Sequence, residues 1–141
     1  MNSDIKIRAF TIDDYVDAYR LWASIEGLGL NESDTPEAIA TFLGRNPGLS
    51  AVAIAKEKLI GTILSGHNGR AGHITHLAVT PEYRSQGVGR NLVDYALAQL
   101  IVCRIPRCNI FVYNGNHGGN RFWLENGWTD PTTWRVLQKR M

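Results

Sequence analysis

Two cysteines, Cys103 and Cys108, are all that 141 residues contain. That is too few for a disulfide framework, and no Cys or His spacing offers a zinc ligand set. A reduced, cytoplasmic setting is the expectation that follows. No charge of one sign dominates. Fifteen Lys and Arg stand against 13 Asp and Glu, a net charge of +2, which argues against a long nucleic-acid-binding surface but leaves room for a local anion site. No apolar run approaches the roughly 20 residues of a membrane span. The opening stretch MNSDIKIRAFTIDDY lacks the basic start and long apolar run of a secretory leader, so no membrane partner is expected. Repeats and low-complexity linkers are also missing. Hydrophobic residues make up 44% of the chain, enough to bury the core of one domain spanning residues 1–141.

Turn formers and apolar periods divide the chain. IKIRAF (5–10) alternates and predicts a strand. Thr11 and Asp14 form a capping-box-like start to a helix carrying Tyr15, Ala18, Tyr19, Trp22 and Ile25. The segment from Glu26 to Thr35 predicts a loop. Thr35 caps a second helix with Pro36 at its first position, ending near Gly44 or Pro47. SAVAIAK and KLIGTILSG predict two strands around a turn at Lys56–Lys58. HITHLAV (73–79) predicts a third. A helix with Val88, Leu92, Ala96 and Leu100 on one face follows and ends before Pro106. RCNIFVY predicts a strand, the segment up to Gly127 a short helix, and TWRVLQK a final strand. The order describes a mixed α/β (α+β) domain.

The densest signal is YRSQGVGRNLV. Arg84, Gln86, Gly87, Gly89 and Arg90 crowd the start of an amphipathic helix. The first amides of a helix lack intrahelical acceptors, the helix dipole adds positive charge there, and glycine lets a ligand approach the backbone. The sum is a site for a phosphate or pyrophosphate. It is no Walker loop, since G-x-x-x-x-G-K-[ST] is absent, and Leu92 stands where a dinucleotide fingerprint needs its third glycine.

Arg84-Ser85-Gln86-Gly87-Val88-Gly89 does match the R/Q-x-x-G-x-G/A loop of the GNAT superfamily of N-acetyltransferases. HLAVTPEYRSQGVGRNLV resembles that family's whole strand–loop–helix segment. NHGGNRFWLENGW resembles its second motif through Asn116, Phe122, Trp123, Gly127 and Trp128, with Gly119 where alanine is usual. The resemblance covers essentially the whole chain. It implies a central mixed, mostly antiparallel twisted sheet flanked by helices, with a splayed strand pair at the acyl-CoA site. It also implies that acetyl-CoA is the co-substrate. Its pyrophosphate would be held by the loop of Arg84, Ser85, Gln86, Gly87, Val88, Gly89 and Arg90. Its pantetheine arm would lie along Leu77, Ala78 and Val79 with help from Asn116 and Trp123. A backbone N–H near Val79 would support the oxyanion. The acceptor would be a primary amine of a small molecule or peptide, attacking directly in a ternary complex. An acyl-CoA-binding module with little turnover is the alternative, and a homodimer through strand edges or the final strand stays open.

Proton transfer points to particular residues. Some related enzymes place a basic residue where His73 stands, which makes His73 the candidate base; the alternative is a half-exposed histidine after a turn. Strand alternation puts His73, Thr75, Leu77 and Val79 on one face and His76 on the other, in a structural role. His67 and His117 fall in turns, and four scattered histidines with no acidic partner at ligand spacing predict no metal site. Many family members protonate the leaving thiolate with a tyrosine where this chain has Trp123, whose indole N–H is no practical acid. Tyr113 is the weaker substitute. On the acceptor side Glu26 is the candidate carboxylate, with Glu32 and Asp34 read as solvated. Tyr15, Tyr19 and Trp22 could line a pocket, though their spacing is that of core residues.

Overall fold

The computed structural model describes residues 4–141; the first three, at the start of the stretch expected to hold no leader, lie outside the described residues. The chain forms two compact units, Met1–Phe111 and Val112–Met141. The first holds a five-stranded sheet in the order β1 (Ile5–Ala9), β2 (Ala51–Ala55), β3 (Lys58–His67), β4 (Gly72–Val79), β5 (Cys108–Ile110). β1 to β4 are antiparallel neighbours, and β5 joins β4 in parallel. Lys56 and Glu57 both take positive φ (50° and 66°) between the paired Ala55 and Lys58. This is the two-residue hairpin geometry that matches strand twist.

Helices cover both faces. α1 (Tyr15–Ser24) and α2 (Pro36–Arg45) bring Ala18, Leu21, Trp22 and Ile39 onto Val52, Leu64 and Ala78. The predicted cap of α2 is present, with Thr35 Oγ1 accepting from Ala38 N at 3.1 Å. Against the other face lies α3 (Val88–Val102). It packs so close that a Cβ on Gly61 would meet Leu92 at 3.1 Å and one on Gly72 would meet Leu100 at 2.7 Å. Tyr15, Tyr19 and Trp22 form an aromatic run, with Trp22 fully buried.

Two predicted strands are corrected. The expected strand over 107–113 shrinks to Cys108–Ile110. Beyond it Phe111 and Tyr113 are exposed. The expected final strand over 133–139 does not form: its alternation is real, but Trp134, Val136 and Leu137 stay exposed and no described strand pairs with them. An alternating pattern makes a strand only when a partner backbone takes its hydrogen bonds. The second unit contains α4 (His117–Glu125), the short helix expected there.

An ion pair fixes how the chain leaves β1. Asp14, in the turn Ile12–Asp14 before α1, accepts from Arg8 through both oxygens at 2.8 Å and from Thr11 N at 3.0 Å. Burial pushes the Asp14 carboxyl up, but the Arg8 and Thr11 hydrogen bonds outweigh it and hold the group below its ordinary 3.8. A depressed pKa stabilises the fold above the unfolded value, and that stabilisation is lost as pH falls through the folded value. Because Arg8 is half exposed, the expected cost of Asp14→Asn is modest, about 1 kcal/mol at pH 7. Urea denaturation at several pH values should show the difference from wild type shrinking as pH falls below 3.8.

Candidate active site

β4 organises the site, because it is paired on one side only for part of its length. Its parallel contact with β5 covers Gly72, His73 and Ile74 and then stops. From Thr75 to Val79 no described strand takes the backbone groups on that edge. This is the splayed pair that the resemblance implies, and it leaves Leu77, Ala78 and Val79 where an amide-bearing arm could add as a strand.

A bulge within β4 reorders the side chains. Leu64 pairs with Thr75 and Thr62 with Ala78, so two β4 residues, His76 and Leu77, oppose one β3 residue. His76 takes φ 53° to make this possible. Its carbonyl accepts from Thr62 Oγ1 at 2.8 Å, and Thr62 Oγ1 accepts in turn from Trp22 Nε1 at 2.8 Å. The face assignment from simple alternation is therefore corrected. His76 turns toward α1, where it lies 4.6 Å edge-on to Trp22. Val79, paired with Gly61, turns toward α3 and away from the face of His73 and Thr75. Alternation fails here because one inserted residue reverses the face of all that follow.

At its far end β4 feeds the anion cradle. Thr80 N donates to Ile60 O at 2.8 Å, and Pro81–Tyr83 make one 3-10 turn. Ser85 (φ 61°) and Gly87 (φ 84°) are both left-handed, and Gly87 is the N-cap of α3 with no side-chain cap. The first helical bond is Asn91 N to Gly87 O at 3.0 Å. The amides of Val88, Gly89 and Arg90 thus precede the first carbonyl able to receive them, the arrangement that binds phosphate. Arg84 also braces the loop, because its Nε donates to Val79 O at 3.0 Å and ties the loop to the strand end. Gln86 Nε2 donates to Glu82 O at 3.2 Å. The cradle and the open edge fit the pyrophosphate and arm of coenzyme A.

His73 stands at the other end of β4. It helps line a cleft of about 360 Å³ with Phe42, Asn46, Gly66, His67 and Thr75. Phe111 lies 4.5 Å away, edge-on. The His73 Nε2 is buried with no hydrogen-bond partner among the described residues, and burial pushes its pKa below the ordinary 6.5. No carboxylate, lysine or arginine is among the cleft's lining residues. Glu26 is exposed just past α1 and is not one of them. Asp34, read from the sequence as solvated, is instead buried, 4% exposed, and accepts from His76 Nε2 at 2.7 Å. Only tertiary packing could reveal that pair, since 42 residues separate its members.

In the second unit Asn116 caps α4, its Oδ1 accepting from Gly119 N at 3.0 Å. A Cβ on residue 119 would meet the Asn116 amide at 2.6 Å, so this cap and the unusual Gly119 belong together. Trp123 is buried, with Phe122 and Trp128 edge-on at 5.0 and 4.9 Å. Tyr113 is exposed. Among the described residues no group of His, Cys, Asp and Glu could hold a metal ion, and no helix is long and apolar enough to cross a membrane.

Comparison with known proteins agrees with this geometry. Residues 12–128 match the model of the acetyltransferase (GNAT) family. An acetyltransferase of Sodalis glossinidius is 30% identical over 113 residues, covering 79% of this chain and 78% of that one. Among solved structures, Ard1 from Thermoplasma volcanium superposes with a TM-score of 0.79 at 22% identity, covering 89% of this chain and 83% of that chain. The PaiA N-acetyltransferase of Thermoplasma acidophilum, in complex with coenzyme A, does so at 0.77 and 22%, covering 92% of each. The chain belongs to the GNAT acetyltransferase family: it is an acyltransferase that uses acetyl-CoA.

The left-handed Gly87 gives a direct test of the cradle. A β-branched side chain is strained at φ 84°, and the loop should rearrange while the remainder of the sheet stays folded. Gly87→Val is expected to weaken acetyl-CoA binding at least about tenfold by calorimetry, a change of 1.4 kcal/mol, with an unchanged far-ultraviolet spectrum. Wild-type affinity in the variant would move the pyrophosphate elsewhere.

Proposed function

We propose that this enzyme transfers the acetyl group of acetyl-CoA to a primary amine, by direct attack in a ternary complex, with His73 taking the amine's proton. One observation carries the reading: a single strand, β4, ends in an anion cradle, presents an unpaired backbone edge, and begins at an unpartnered imidazole in a cleft. From His73 to Val79 the strand rises by roughly 20 Å at about 3.3 Å per residue. An extended arm laid along it connects the two ends.

Acetyl-CoA supplies the acetyl group as a thioester. The amides of Val88, Gly89 and Arg90 neutralise its phosphates, and the Leu77–Val79 edge aligns its arm so that the thioester lies toward the His73 end. An N–H near Val79, roughly 20 Å along the strand from His73, is too far away to serve the carbonyl oxygen. Holding both reactants in one geometry supplies much of the acceleration. As the amine nitrogen bonds to the carbonyl carbon and the carbon–sulfur bond breaks, the nitrogen's proton passes to His73. The leaving thiolate takes its proton from water, because Trp123 offers no acid. A thiol with a pKa near 8.5 is an adequate leaving group without one.

The cleft also limits the amine. Its lining includes no carboxylate to hold an ammonium ion, and burial of an unpaired charge is costly. An α-amino group, at about 7.7–8.0, gives up its proton more easily than a lysine side chain at about 10.4. The difference is about 3.5 kcal/mol at 1.36 kcal/mol per unit. Weakly basic amines, such as the α-amino groups of peptides and amino-acid amides, are therefore the preferred acceptors.

Thiol release from acetyl-CoA across an amine panel tests this. At pH 7, α-amino acceptors should exceed lysine side chains and polyamines at least about tenfold in kcat/KM. The reverse order would remove the argument from the cleft. His73→Ala should lower kcat/KM by about 10²- to 10⁴-fold, the usual range for a lost general base. Because the imidazole must be neutral to act, and its pKa is lowered, the acidic limb of the wild-type pH profile should have its midpoint below 6.5. That limb should vanish in His73→Ala. Trp123→Tyr should change the rate by no more than a few-fold.

A further inference from the structure

A side-chain pair joins the loop between α1 and α2 to the bulge of β4, and we propose that this pair, Asp34 and His76, is a positioning device that sets the loop 26–35 and the acyl-CoA edge together. The proposal deepens the acetyl-transfer reading and rests on it for its catalytic consequence.

Three features converge on Asp34. Its Oδ2 accepts from Asn31 N at 2.9 Å, closing the turn Glu32–Asp34. Its backbone carbonyl accepts from Tyr15 Oη on α1 at 2.5 Å. Its Oδ1 accepts from His76 Nε2 at 2.7 Å. Thr35, the next residue, caps α2. Through its carbonyl and its side chain, buried Asp34 thus joins α1 and the connecting loop to one residue of β4, next to the cap of α2. That residue holds the left-handed φ from which the bulge is made.

His76 is gripped from three sides. Asp34 holds its ring nitrogen, Trp22 lies edge-on to the ring, and Thr62 Oγ1 donates to its carbonyl. A non-glycine residue in left-handed geometry persists only where its surroundings over-determine it. Release of the ring would remove one of these restraints and free the bulge to relax. The edge that relaxes begins at the next residue, Leu77. The loop 26–35 and the backbone 76–79 should therefore gain or lose order as one unit, although neither is near the other in sequence.

Amide hydrogen exchange in the full chain tests the coupling without depending on turnover. Asp34→Ala is expected to raise exchange at least tenfold at residues 76–79 as well as 26–35. His76→Asn keeps a residue that tolerates left-handed φ but is too short to reach Asp34; it should raise exchange at 26–35 as well as 76–79. The double variant should add little to either single one, and α3 should be unchanged. Faster exchange confined to the segment that carries the substitution would overturn the proposal. Because the loosened edge is the one that aligns the arm, both variants should raise the acetyl-CoA dissociation constant about tenfold or more. Faster exchange in α3 as well would make the pair a general stability element and would also overturn the proposal. Should no amine be acetylated, the acetyl-transfer reading fails on its own and the exchange experiment still decides the coupling.

Discussion

The site depends on backbone hydrogen bonds that the sheet declines to make. β5 stays beside β4 for three residues and then ends. An unpaired strand edge is ordinarily a liability, since it invites another chain. Here the exposed length is short, runs directly into the phosphate loop, and is bent by a bulge. The same unpaired groups can bind an extended arm carrying amides. The candidate binding edge thus follows from one feature of the fold, the early end of β5.

The bulge at His76 is the second half of that constraint. Without it, Val79 would face α1 and α2, and the cradle would start on the other side of the sheet. With it, the strand presents His73 and Thr75 to the cleft and delivers Val79 toward α3. Thr62 inside β3 makes the shift tolerable by donating to the carbonyl of His76. The indole N–H of buried Trp22 completes the chain through the same hydroxyl. The indole, the hydroxyl and the carbonyl are thus paired in series, as a stable interior requires.

Electrostatics in the two ends of β4 run in opposite directions. The loop end is built from helix amides and arginines and favours anions. The cleft end has an imidazole with its Nε2 buried and no carboxylate, lysine or arginine in its lining. On the proposed reading, a charged co-substrate and a weakly basic amine have separate places on one strand.

Much of this was legible in the chain itself. Gly87 and Gly89 with Arg84 and Arg90 at a helix start mark a candidate anion site, because amide exposure and φ are local properties. Thr35-Pro36 determines where α2 begins for the same reason. The apolar stripe from Val88 to Leu100 determines which face of α3 is buried. What tertiary structure alone decided are the long-range facts. The shortness of β5 and the missing final strand depend on partners that alternation cannot supply. Asp34 is buried because Tyr15 and His76 converge on it from distant parts of the chain. The bulge at His76 follows from a threonine fourteen residues away that accepts the indole N–H and donates to the displaced carbonyl, and nothing in the local sequence HITHLAV announces it.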